Sequence, residues 1–218
     1  MKTLLRSTAL ALLTLLAVPA GAGDNFGFDP MDSGSYRPDK SIWALNWELA
    51  QPIGDFANYS DKLSLTGFSI ESRSMVRKNV SAGISFSYNR FDQTEAAYSV
   101  TTGTSTVTGP VFRYADMFGI RLLGHYYFLE GHMVQPYLGG GIGGAWAYGY
   151  QQVADYYKSE TSFNFIVSPE VGVLIQLARG ATNLGLNLAI RYTYTTASMG
   201  NTKDDQTLSG IAGFMWSY

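Results

Sequence analysis

Two histidines, a handful of charges set in otherwise neutral stretches and no cysteine define the chemistry open to this chain of 218 residues. Neither His125 nor His132 opens a His-x-Ser pattern that would set a general base beside a nucleophile. No metal-ligand spacing and no nucleophile elbow occurs, and the glycine-rich run around 139–144 lacks the following helix that a phosphate cradle needs. The sequence therefore points to no enzyme, no metal and no cofactor. The residues that demand an explanation are Glu48, Glu71, Arg73, Arg121, Glu170 and Arg191, three carboxylates and three guanidiniums. Equal numbers of opposite charge are what a buried, mutually compensating set requires.

The elements that must position those charges alternate with period two. The stretches run Trp43 to Leu49, Phe68 to Val76, Val80 to Tyr88, Phe118 to Phe128, Val134 to Tyr148, Phe163 to Ile175, Leu184 to Tyr194 and Leu208 to Tyr218. In each, large apolar residues occupy one parity and Gly, Ser, Asn, Thr and the six charges occupy the other. Glu71 and Arg73, two apart, fall on one face. Three links are short: Arg77 to Asn79, Glu130 to His132, and Ala178 to Thr182. The others, Gly54 to Lys62, Phe91 to Arg113, Gln151 to Thr161 and Thr195 to Gln206, are longer and polar, and are expected to be loops, the second extending its hairpin above the membrane through Thr101 to Thr108. An even number of strands with tight turns at one end and long loops at the other describes an all-β, eight-stranded, antiparallel up-and-down barrel over residues 41–218. Pro169 falls inside the sixth strand and cannot donate to a ladder, so a bulge or a lost bond is expected there.

The leading segment reads differently. Met1 to Ala22 has Lys2 and Arg6, an apolar run from Thr8 to Val18 and a small-residue exit at Ala20 and Ala22, the pattern of a secretory signal peptide cleaved after Ala22. Cleavage takes the formal charge from −2 to −4. Residues 23–40 are expected to be a flexible periplasmic leader. With 15 % charged residues, 46 % hydrophobic residues and no long apolar run beyond the leader, the chain is neither a helical membrane protein nor a disordered one. It also lacks the basic stripe that nucleic acid binding needs.

Alternation leaves open whether the apolar parity faces a core or surrounds the barrel. Three features choose the outside. The polar parity carries no lysine at mid-strand, although a water-facing exterior would be rich in charge. Aromatic residues (Trp43, Tyr88, Trp146, Tyr148, Tyr192, Tyr194, Trp216, Tyr218) gather near strand ends, as at a membrane boundary. The short-turn, long-loop asymmetry suits a barrel inserted in one direction. Outward apolar side chains place the six charges in the lumen, since an arginine facing lipid at mid-bilayer costs roughly 2–4 kcal/mol.

Three stretches carry a resemblance: Pro52-Ile53-Gly54-Asp55-Phe56, Pro136-Tyr137-Leu138-Gly139-Gly140-Gly141-Ile142-Gly143, and Gly213-Phe214-Met215-Trp216-Ser217-Tyr218. The chain resembles the small outer-membrane β-barrel superfamily that includes the OmpX/Ail and OmpA membrane domains. That resemblance implies a monomer in a Gram-negative outer membrane. It implies export by the Sec route, and an assembly signal in Gly213, Phe214, Trp216 and Tyr218 read by the barrel-assembly machinery, with Tyr218 in place of the commoner Phe. It implies a structural and surface-interaction role through the external loops, with membrane lipids and lipopolysaccharide as partners. Arg90, of outward parity at the outer rim, is then a candidate contact for lipopolysaccharide phosphate. The competing expectation is a narrow passage for small solutes. Lipid-modifying barrels place a histidine at the outer rim, where this chain has none.

Overall fold

The computed structural model describes residues 41–102, 105–129, 131–153, 156–178, 183–196 and 204–217. The signal peptide, the leader and Tyr218 lie outside these residues. Period-two alternation becomes eight strands: β1 Ser41–Ile53, β2 Ser64–Arg77, β3 Val80–Thr102, β4 Ser105–Tyr127, β5 Val134–Val153, β6 Tyr156–Ala178, β7 Asn183–Thr195 and β8 Asp205–Ser217. Each pairs antiparallel with its neighbour in sequence, and β1 pairs with β8, so the sheet is a closed barrel. Closure leaves no edge within the barrel wall and pairs the backbone polar groups strand to strand.

The large apolar parity faces out. Leu45, Trp47, Phe86, Leu122, Phe163 and Phe214 are all exposed, Leu122 by 65 % and Phe214 by 69 %. The other parity is buried and holds Asn46, Glu48, Glu71, Arg73, Arg121, Glu170, Asn187 and Arg191. A water-soluble barrel has the reverse arrangement. Tight turns close the lower end. At the β2–β3 turn, the Asn79 side-chain amide donates to the Tyr127 carbonyl at 2.7 Å. Between β4 and β5 the backbone turns at Gly131, whose φ of +85° suits a residue without a Cβ.

Two expectations are corrected. Phe91 to Arg113 continues β3 and β4 as a paired hairpin out to Thr102 and Ser105, the extension expected of residues 101–108 but beginning at the barrel wall, and Gln151 to Thr161, expected as a loop, is strand as well, with β5 and β6 paired out to Val153 and Tyr156. Polarity there marks strands that leave the barrel for water on both faces, held by cross-strand pairs such as Ser99 and Thr108, whose hydroxyls lie 2.7 Å apart. The interior is also not uniformly hydrophilic. Towards the short turns it is packed with Ile42, Met75, Tyr127, Tyr137, Leu174 and Met215, and towards the other end with Ala50, Phe56, Tyr59, Phe91, Ala115 and Ala147. The charges form a layer between these apolar tiers.

Pro169 pairs with Gly140 on β5. Towards β7 the ladder runs from Val167↔Tyr194 to Glu170↔Arg191, omitting Ser168 and Pro169 while keeping the same register on either side. The missing N–H therefore costs ladder bonds and not a bulge.

Candidate functional site: the charged layer and its two seals

The closed ladder brings five strands' worth of charge to one level. Glu170 and Arg191 are direct partners across β6 and β7. Glu48 comes from β1, Glu71 and Arg73 from β2, and Arg121 from β4. Arg191 is the hub. Its Nε donates to Glu170 Oε2 at 2.6 Å, its Nη1 to Glu48 Oε1 at 2.5 Å and its Nη2 to Glu71 Oε1 at 2.5 Å. Arg73 bonds Glu71 through Nε at 3.0 Å and also through Nη2, and reaches Glu170 at 3.5 Å. Its guanidinium lies 5.0 Å from the centroid of the Tyr137 ring, in cation–π contact.

Neutral polar groups complete the layer. The Tyr137 hydroxyl lies 2.6 Å from Glu170 Oε1 and 2.9 Å from Asn187 Oδ1, and the Asn187 amide donates to Asn46 Oδ1 at 2.9 Å. Asn89 donates to Glu48 Oε2 at 3.2 Å. Charges with side chains at most 3 % exposed survive in such a place only because each is answered by opposite charge and hydrogen bonds. Arg121 is the exception in degree: its Nη1 donates to Ser168 at 3.3 Å, but the nearest carboxylate oxygen, on Glu48, is 3.9 Å from Nη2. Arg121→Ala is therefore expected to cost less heat stability than removal of either other arginine, and melting of the three alanine variants in detergent checks the order.

His125 faces the same layer, with Nε2 3.6 Å from Glu170 Oε1. It is 3 % exposed and packs edge-on against Tyr137 at 5.2 Å. His132 lies in the β4–β5 turn. The arrangement links five strands by charge.

The upper seal was not anticipated from the sequence. After β1 the chain makes a 3-10 turn, Gly54–Asn58, entered through Gly54 at φ +61°. The turn inserts Phe56, which is fully buried and meets the Phe91 ring edge-to-face at 5.0 Å. Tyr59 follows it inward, and burial pushes its hydroxyl up to about 12, with the positive charge of Arg113 pulling the other way. Phe91 has the same parity as the inward Ser85, Ser87 and Asn89, and that was the available signal. Phe56 had none, because no period runs through a turn. Phe56→Ala is expected to loosen this cap alone: amide exchange at residues 54–60 should accelerate while the barrel strands stay protected.

The remaining sequence candidates lie outside the layer. Arg90 points outward on β3, with Nε 3.8 Å from Asp116 and its guanidinium 4.9 Å from the Tyr114 ring centroid. On β8, Phe214 and Trp216 face out and Gly213 packs against Asn46, where a Cβ would collide with the Leu45 carbonyl.

No family model and no curated protein matches the sequence. Solved structures do. Ail, the attachment invasion locus protein of Yersinia pestis, aligns over 84 % of this chain and 100 % of its own at 11 % identity and a TM-score of 0.53. Neisserial surface protein A, NspA, aligns over 81 % of this chain and 95 % of its own at 12 % identity and a TM-score of 0.55. At this identity the likeness is one of architecture, and it agrees with strand number, pairing and closure: the chain has the eight-stranded up-and-down barrel fold of the small outer-membrane proteins.

Proposed function

We propose that this chain spans an outer membrane of the Gram-negative type as a sealed barrel and serves as a structural and surface-interaction protein, acting through the strands that rise above the membrane. The observation that carries the reading is unequal strand length on an apolar-sided barrel. Strands β3, β4, β5 and β6 run to 20 or 23 residues, against 13 or 14 for the others. The β2 ladder on β3 stops at Tyr88 and the β7 ladder on β6 begins at Ile166. Above those points a four-stranded sheet projects on one side of the barrel, with a free edge on β3 and another on β6. A projecting sheet with open edges is a binding element, as loops on a rigid scaffold are.

In this reading the chain is a monomer exported by the Sec route, and the barrel-assembly machinery reads β8 through Gly213, Phe214, Trp216 and Tyr218. Membrane lipids and lipopolysaccharide surround the belt, and no catalytic step is assigned. The apolar tiers above and below the charged layer favour a sealed lumen over the alternative, a narrow passage for small solutes. Planar bilayers containing the protein are expected to show no discrete conductance steps; uniform steps would favour passage. A variant with residues 92–113 replaced by a two-residue turn removes the tallest part of the sheet. It should melt like the parent in detergent, yet cells displaying it should lose adhesion to the surfaces that the parent binds. Equal adhesion would sink the interaction role.

A further inference from the structure

We draw no further inference here: the strongest candidate, the open edge of β6 above Ile166, belongs to the projecting sheet already described as the binding element, and nothing in the structure shows what covers it.

Discussion

Arg191→Met is expected to lower the melting temperature of the detergent-solubilised barrel by roughly 6–20 °C. That range takes about 3–5 kcal/mol for leaving buried charge without its partner and about 2–4 °C per kcal/mol for a chain of this size. The reason for a large effect is the number of bonds that end on one side chain: Arg191 contacts Glu48, Glu71 and Glu170, each at 2.5 or 2.6 Å. Methionine fills comparable volume but leaves three carboxylates to Arg73 and Arg121, and Arg121 stands 3.9 Å from its nearest acid. A second substitution should restore part of the loss. Glu48→Gln in the Arg191→Met background removes an uncompensated charge, so the double variant should melt above the single one. If Arg191→Met melts like the parent, the charged layer contributes nothing to stability and its residues are placed there for another reason.

A second large effect should appear on the opposite face of the same sheet. Leu122→Arg places a guanidinium on the outer surface between Ile84 of β3 and Ile142 of β5, the cross-strand neighbours of Leu122. In hydrocarbon this costs roughly 2–4 kcal/mol, whereas on a water-facing surface the same substitution falls within about 0.5 kcal/mol of neutral. Folding equilibria of parent and variant in urea with phosphatidylcholine vesicles measure the difference. A shift of about 2 kcal/mol or more supports a lipid-facing belt. A variant as stable as its parent and soluble without detergent would mean that water, and not lipid, surrounds the barrel.

These two expectations come from different depths of reading. That Leu122 and Arg121 face opposite ways was legible in the sequence, because side chains alternate along a strand and the segment from Phe118 to Phe128 keeps one parity for its large apolar residues. The sense of that alternation was legible too, from the absence of lysine on the polar parity and the aromatic residues at strand ends. Phe91 was misread as part of a loop because its surroundings, Asn89 to Thr94, are polar on both parities once the strand leaves the barrel. The same cause hid the upper parts of β5 and β6. Outside the barrel wall neither face is buried, so composition stops reporting strand. Tyr127, Leu174 and Met215 sat on the inward parity in plain view, yet their gathering into an apolar tier depends on ring closure.

From the sequence alone followed eight strands, their order, the turn end and the loop end, and which residues of the barrel wall between Trp43 and Tyr88 or Phe118 and Trp216 point inward, because each rests on periods and turn chemistry within a few neighbouring residues. Which carboxylate meets which arginine was decided only by the tertiary structure. Arg191 and Glu48 lie 143 residues apart and meet because β8 joins β1 and sets the registers of both neighbours. The Phe56 seal and the loose seating of Arg121 likewise depend on distances across the barrel. Local preference chooses the direction in which a side chain leaves the backbone; closure of the sheet chooses what it finds there.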